Sequence, residues 1–168
     1  IKLNNYSIIG FVDDFSTKNK IVETYKNKKY KVIGGINNIK NIANKNTVGI
    51  IGVGTNFIRK KIFDEVNKAF KNFIWEKIIS KDSIISSNVK IGKGSLIVSN
   101  SVINTGSQIG DHCLINTSSS IDHDNYFANF ASTGPGVTTG GNVTVGELSY
   151  LGIGSTIKHQ IKIGENTV

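Results

Sequence analysis

The chain contains very little cysteine, and its apolar residues never form a long run. Cys113 is the single cysteine among 168 residues, so no disulfide can form within the chain and a reducing compartment is expected. No apolar segment reaches the roughly 18 residues that a membrane-spanning helix requires, and no signal peptide is visible. We therefore expect a cytoplasmic protein without a membrane span.

Acidic residues are scarce in the first half of the chain. Residues 1–80 contain 15 Lys and Arg against 6 Asp and Glu, whereas residues 81–168 contain 5 against 6. A basic segment can attract nucleic acid or a phosphorylated small ligand, and it can equally be a solvated lysine-rich surface. We favour the solvated surface and expect no nucleic-acid partner.

The spacing of a metal site and the common phosphate-binding loops are also missing. The three histidines, His112, His123 and His159, fall at separate places along the chain, so they do not form the ligand set of a metal ion. Neither a GxxxxGK[ST] loop nor a strand–GxGxxG–helix unit is present. We expect no metal.

A repeat of six residues dominates the second half of the chain. From Ile85 to Val168 the sequence divides into fourteen hexads without insertion or deletion, beginning ISSNVK, IGKGSL, IVSNSV. The first position is aliphatic or Phe in twelve hexads and Thr in two, and the second is Gly in seven. The fifth position is mostly small, with Asn125 and Ile161 as exceptions.

This period predicts a parallel β-helix. One large and one small inward residue fit a short flat strand followed by a tight turn, and three such strands make one triangular coil. Gly at the second position is expected because it tolerates turn backbone. Coils would stack about 4.8 Å apart through strand hydrogen bonds. The first-position isoleucines should then lie inside one prism: Ile91, Ile97, Ile103, Ile109, Ile115 and Ile121.

Residues 1–80 show a different pattern, in which short apolar runs alternate with helical stretches. Strands are predicted over Tyr6–Val12, Lys31–Ile33, Thr47–Val53 and Phe73–Trp75, and helices over Ile36–Ala43 and Asn56–Phe70. This alternation predicts a parallel α/β unit, which binds ligands beyond the carboxyl ends of its strands. Asp13, Asp14 and Gly54 fall at such ends.

Four segments resemble one family of bacterial enzymes. They are GFVDDF (10–15), VGTNFIRKKI (53–62), INTSSSIDHD (115–124) and GGNVTVGELSYLGIGS (140–155). They are similar to the sugar O- and N-acetyltransferases, of the sialic acid O-acetyltransferase and UDP-4-amino-sugar N-acetyltransferase type. The resemblance implies an α/β Rossmann-like subdomain over residues 1–80, then a left-handed parallel β-helix of hexapeptide repeats over residues 81–168. It also implies a homotrimer with acetyl-CoA held between neighbouring subunits.

The resemblance also assigns roles to individual residues. Acetyl transfer needs a deprotonated nucleophile and donors for the developing oxyanion, and His is the natural base near neutral pH. His123 matches the family's base, and Asp124 beside it would orient the ring and raise its basicity. The positions that match acetyl-CoA contacts are Ser132, Gly141 and Ile153, with the Gly141 amide on the acetyl carbonyl. The positions that match the sugar-nucleotide pocket are Asp13, Asp14 and Gly54.

Three functions remain open from the sequence. The resemblance favours N-acetylation of an amino group on a nucleotide-linked sugar, with O-acetylation of sialic acid or a related sugar as the alternative. A non-catalytic solenoid that scaffolds partners is the third. Position alone would make His123 a surface histidine, and we treat His159 as one. Cys113 occupies an inward small position, which favours packing over an acyl-cysteine role.

The family pattern extends beyond both ends of this sequence. Its members usually open with a strand and a Gly-His-Gly turn that helps to hold the sugar nucleotide, and no such turn precedes GFVDDF here. The chain begins with Ile1 rather than Met, and the fifth coil is incomplete at Val168. We expect native sequence to be missing at both ends.

Overall fold

The computed structural model describes residues 6–168. The chain divides into two compact units, one of Ile1–Val48 with Phe63–Ile74 and the other of Gly49–Ile62 with Trp75–Val168. No helix in the described part of the chain combines the length and apolarity that a transmembrane segment requires.

The first unit contains a mixed three-stranded sheet. Its strands are β1 (Phe11–Val12), β2 (Ile21–Tyr25) and β3 (Lys28–Gly34), in the order β1-β3-β2. Strand β1 pairs with β3 in parallel, whereas β2 and β3 form an antiparallel hairpin. Strand β2 was not predicted from the sequence, which indicated a purely parallel unit. Every residue of β2 is exposed, so the alternation that identifies a half-buried strand is absent.

The remaining elements before the repeats are short, apart from one helix. A 3₁₀ turn (Ile36–Asn38) leads into α1 (Ile39–Ile42), and β4 (Val48–Gly49) pairs with β5 (Ile74–Trp75). Helix α2 spans Asn56–Ala69, almost as predicted. The expected strand over Thr47–Val53 is limited to β4, and the chain beyond it runs without regular structure to α2.

The repeats form three parallel five-stranded sheets, which are the faces of a left-handed β-helix. Successive strands of one face lie 18 residues apart in the chain. The first face contains β6 (Ile78–Ile79), β9 (Leu96–Ile97), β12 (Leu114–Ile115), β15 (Ser132–Thr133) and β18 (Tyr150–Leu151). The second contains β7 (Ile84–Ile85), β10 (Val102–Ile103), β13 (Ser120–Ile121), β16 (Thr138–Thr139) and β19 (Thr156–Ile157). The third contains β8 (Lys90–Ile91), β11 (Gln108–Ile109), β14 (Tyr126–Phe127), β17 (Thr144–Val145) and β20 (Lys162–Ile163).

The first-position residues fill the prism, as the hexad pattern predicts. Ile97, Ile103, Ile109, Ile115 and Ile121 are buried in one apolar cluster. Ile91 packs against the same cluster but is only partly buried, because it lies near the end of the stack where fewer coils cover it.

Glycine at the second position serves a purpose other than the predicted one. From Gly94 to Asn166, the residue with a positive φ is the fourth of each hexad rather than the second. A Cβ on Gly92 or Gly146 would lie 2.5 Å from backbone atoms of the adjacent coil. At these two positions glycine therefore avoids a collision with the adjacent coil, and no left-handed backbone is involved.

Candidate active site

His123 and Asp124 lie at the prism corner that joins β13 to β14, between the second and third faces. The His123 Nδ1 atom is 2.8 Å from the Asp124 Oδ2 atom, and about half of each side chain is exposed. A carboxylate only accepts hydrogen bonds, so Nδ1 carries the hydrogen and Nε2 keeps a lone pair. The pKa of His123 is raised above its ordinary value, chiefly by the hydrogen bond to Asp124. The corner therefore presents an accessible base.

The backbone of this corner is fixed by side chains on both sides of His123. The Asp122 carboxylate accepts the His123 N–H at 2.8 Å and the Asn104 amide at 3.2 Å. The His123 N–H lowers the pKa of Asp122, and Asn104 adds to the effect. From inside the prism, the Asn125 amide donates to the carbonyls of Asp122 and His123 at 2.8 and 3.2 Å.

Glycines of the neighbouring coils leave room for both members of the pair. A Cβ on Gly141, one coil after His123, would lie 2.5 Å from the ring atoms Cε1 and Nε2. A Cβ on Gly106, one coil before Asp124, would collide with the Asp124 carboxylate. The imidazole therefore lies directly over Gly141, as the 18-residue stacking predicts.

His112 lies at a different corner and is fully buried. Its ring stacks on Phe130 at 5.1 Å between centroids and meets the edge of Trp75 at 5.0 Å. Burial lowers the pKa of His112 to about 4, so the ring is neutral at physiological pH. The hexad pattern places His112 at a turn but does not indicate its burial, because the residue that covers it, Trp75, lies outside the repeats.

Arg59 of α2 connects the start of that helix to the His112 corner through hydrogen bonds. Its guanidinium donates to the backbone carbonyls of His112 (2.8 Å), Phe130 (2.9 Å), Val53 (3.0 Å) and Gly54 (3.0 Å). It also donates to the Asn56 Oδ1 atom at 2.7 Å. These bonds fix the segment before α2, and Gly54 with it, through a buried cation.

Comparison with known proteins shows which enzymes the chain resembles. A family model described as the PglD N-terminal domain matches residues 1–66. The acetyltransferase domain of PglB from Neisseria gonorrhoeae FA1090, solved with acetyl coenzyme A, is 28% identical with a TM-score of 0.85. That match covers 97% of this chain and 75% of the PglB domain. Over nearly its whole length the chain is similar to the hexapeptide-repeat sugar acetyltransferases of bacteria.

Another solved relative of this acetyltransferase is PerB from Caulobacter crescentus, in complex with CoA and GDP-perosamine. It is 26% identical with a TM-score of 0.75, over 82% of this chain and 66% of PerB. A mutant GDP-perosamine N-acetyltransferase from the same organism is 24% identical, with a TM-score of 0.76 over 86% of this chain and 68% of the other, and supports the fold alone. No curated protein sequence matches the chain significantly.

Of the residues expected to contact acetyl-CoA, one lies at the His123 corner. Gly141 is beneath the imidazole, whereas Ile153 lies three-quarters exposed at the corner between the first and second faces. Ser132 is on the first face, which does not border the His123 corner. It is buried and donates its hydroxyl to the Asn56 Oδ1 atom at 2.6 Å, so a contact with acetyl-CoA would have to use other atoms of the residue.

The residues expected at the sugar-nucleotide pocket occupy loops that follow strands. Asp13 and Asp14 follow β1, where the Asp14 carboxylate accepts the Ile36 N–H at 2.7 Å. The Asp13 carboxylate accepts the Phe15 N–H at 2.9 Å. Hydrogen bonds to Ser16 and Phe15 lower the pKa of Asp13. In the other unit, Gly54 is exposed before α2, and no residue beyond its chain neighbours has an atom within 4 Å of where its Cβ would be.

Cys113 is buried, as its inward hexad position predicts. Burial raises the pKa of its thiol to about 12, so it is protonated at neutral pH and a poor nucleophile. Among residues 6–168, no group of three or more His, Cys, Asp and Glu side chains could hold a metal ion. Two contributors to the His123 corner, Asp122 and Asn125, were missed from sequence, although Asn125 is an exception to the small fifth position.

Proposed function

We propose that this acetyltransferase transfers the acetyl group of acetyl-CoA to an amino group of a nucleotide-linked sugar, with His123 as the general base. The observation that carries the proposal is the His123–Asp124 pair, exposed at a corner and lying over Gly141. Two relatives support the ligands: the PglB domain was solved with acetyl coenzyme A, and PerB with CoA and GDP-perosamine.

The geometry fits a direct transfer. The amine nitrogen attacks the thioester carbonyl carbon while the His123 Nε2 atom accepts the amine proton. The Asp124 carboxylate stabilises the imidazolium that forms, through the 2.8 Å contact with Nδ1. We assign the Gly141 N–H as the donor to the oxyanion. As the tetrahedral intermediate collapses, the carbon–sulfur bond breaks and the imidazolium protonates the leaving thiolate.

We propose a homotrimer as the active form. His123 and Ile153 lie at different corners of one prism, on opposite edges of its second face. A single acetyl-CoA that touches both positions is best accommodated when the two residues come from neighbouring copies of the chain. A cyclic assembly closes such contacts between unlike surfaces. Light scattering of the full-length protein tests this proposal, because a stable monomer that retains full activity would contradict it.

We propose Gly54, Asp13 and Asp14 as residues that contact the sugar nucleotide. The open backbone at Gly52 and Gly54 lets a ligand approach closely, since no residue beyond the chain neighbours has an atom within 4 Å of where a Cβ on either glycine would be. Asp13 and Asp14 each already accept a backbone N–H, from Phe15 and Ile36, so either carboxylate would contact sugar hydroxyls through its remaining acceptor capacity.

A panel of acceptors tests the function. Full-length protein is supplied with acetyl-CoA and nucleotide-linked amino sugars, the corresponding free amino sugars, or sialic acid, and CoA release is measured. We expect release only with a nucleotide-linked amino sugar and an N-acetylated product by mass spectrometry. The His123→Ala variant controls for contaminating enzymes. Release with sialic acid alone would contradict the proposed acceptor.

A further inference from the structure

Asn125 differs from the other residues that fill the inner corners of the prism. The fifth hexad position usually holds a small side chain, most often Ser. Asn125 is larger than these residues and is only 1% exposed.

The inner corners are linked by a ladder of hydrogen bonds between coils. Fifth-position serines donate to the backbone carbonyl of the residue fifteen positions later: Ser95 to Gly110 (2.7 Å), Ser101 to Asn116 (2.9 Å), Ser107 to Asp122 (2.8 Å) and Ser149 to Gly164 (2.6 Å). Asn125 keeps this pattern, because its amide nitrogen donates to the Gly140 carbonyl at 2.9 Å. The ladder alone therefore does not require an asparagine.

The asparagine adds a bond to the residue proposed as the base. Ser101 contacts two carbonyls, Val98 in its own corner and Asn116 in the next coil. Asn125 contacts the equivalent pair, Asp122 and Gly140, and in addition the His123 carbonyl at 3.2 Å. Among the described residues, its Oδ1 atom has no hydrogen-bond partner. A buried acceptor without a partner lowers stability, so the extra donor bond, rather than stability, explains the asparagine.

The bond to Gly140 also sets the direction of the Gly141 N–H. The Gly140–Gly141 peptide is trans, so the Gly140 carbonyl and the Gly141 N–H point in opposite directions. The carbonyl points inward to Asn125, which directs the N–H away from the prism interior. Gly141 also faces the His123 ring.

We infer that Asn125 is a positioning residue that holds the His123 peptide and the Gly141 N–H in a fixed relation to each other. The inference rests on the proposed function, in which the His123 ring is the base and the Gly141 N–H is the oxyanion donor. One buried carboxamide reaches the His123 carbonyl and the Gly140 carbonyl, on successive coils, from inside the prism.

The charged surroundings of His123 make its titration a useful readout. Asp122 and Asp124 are the ionisable groups beside it on its own corner. The coil before presents Thr105 and Gly106, and the coil after presents Gly141 and Asn142, none of which titrates. A shift in the pH at which His123 titrates therefore reports on its geometry with these two carboxylates.

The test is Asn125→Ser in the full-length enzyme. Serine can reproduce the two bonds of Ser101 but has no second donor for the His123 carbonyl. We expect kcat to fall roughly 10- to 100-fold, the range that a misplaced catalytic group produces, with little change in KM for acetyl-CoA. The acid limb of the kcat/KM profile should move to lower pH, as should the ring titration of His123 by NMR, because its contact with Asp124 loosens.

The matched control is Ser101→Ala, which removes one ladder bond, to Asn116, and one bond within its own corner, to Val98. It should lower Tm while leaving kcat and the acid limb unchanged. If Asn125→Ser does not fold, Asn125→Cys replaces it, since Cys113 already occupies the same hexad position. Wild-type kcat and an unshifted acid limb in the folded variant would overturn the inference, as would an equal loss of kcat in Ser101→Ala. If the proposed function itself is wrong, the His123→Ala variant will instead keep wild-type activity.

Discussion

Two histidine corners of the same prism have opposite properties. His112 and His123 each lie over a glycine of a neighbouring coil, Gly94 and Gly141, and each is adjacent to an aspartate in the chain. The pKa of His112 is lowered to about 4, chiefly by burial, whereas that of His123 is raised, chiefly by its hydrogen bond to Asp124. The repeat determines the position of each histidine in the prism, and the residues around each ring determine its pKa.

The adjacent carboxylates account for part of the difference. Asp124 is turned toward the ring of its histidine, 2.8 Å from Nδ1. Asp111 instead accepts the Lys93 N–H at 3.0 Å and lies 3.9 Å from the Lys93 Nζ atom. The rest follows from Trp75 and Phe130, whose rings enclose His112.

The largest expected contrast is between the two alanine variants. His123→Ala should lower kcat by about 10²–10⁴-fold, the usual contribution of a general base, with wild-type stability. His112→Ala should leave kcat of the folded protein unchanged but reduce the free energy of unfolding by about 3 kcal/mol, because a buried ring is removed. Steady-state kinetics measures kcat, and urea denaturation measures the free energy of unfolding, for each variant. A large loss of kcat in the folded His112→Ala variant would contradict the assignment of a purely structural role to His112.

The two glycines provide the next contrast. Gly141→Ala places a methyl group 2.5 Å from the His123 ring, and displacing the base should reduce kcat by about 10²-fold. Gly94→Ala collides with His112 at a positive φ, so it should lower Tm without changing the kcat of the folded enzyme. Equal kinetic effects would show that the corners are not functionally different.

Removing the carboxylate of the pair should have a smaller effect. Asp124→Asn eliminates the largest cause of the raised His123 pKa, so the acid limb of kcat/KM should shift to lower pH. The rate at the plateau should fall about tenfold, because a weaker base accepts the proton. Asp111→Asn is the control and should change neither quantity. An acid limb that stays in place would argue against Asp124 as the partner of the base.

A further contrast between the two corners concerns the pH dependence of stability. The pKa of His112 is about 4 in the folded chain and about 6.5 in an unfolded one. The unfolded chain therefore binds more protons in this window, and stability declines as pH falls from about 6.5 to about 4. Substituting His112→Gln should flatten this part of the profile in denaturation experiments.

The repeat made the prism and part of the site predictable from sequence. A strict period of six places every first-position side chain inward, which predicts the burial of the isoleucines from Ile97 to Ile121. Three hexads make one coil of 18 residues, so the same period predicts that His123 stacks on Gly141. The sequence alone could not indicate the burial of His112, because Trp75 and Arg59 reach it from outside the repeats. The hairpin partner β2 was missed because its residues are uniformly exposed.

The hydrogen-bonding function of Asn125 required the structure as well. The sequence marks it only as an exception at the small fifth position. Its contacts depend on where three carbonyls point in two adjacent coils, and a residue pattern does not encode carbonyl directions.

The pH titration of the three histidine rings by NMR tests the central claim most directly, that His123 is the base because Asp124 holds it. Each signal is assigned by its loss in a single His→Gln variant. We predict that His123 titrates above its ordinary value of about 6.5, at the same pH as the acid limb of kcat/KM, whereas His112 titrates near pH 4. A His123 signal that titrates below that value, or an acid limb that does not coincide with it, would contradict the account.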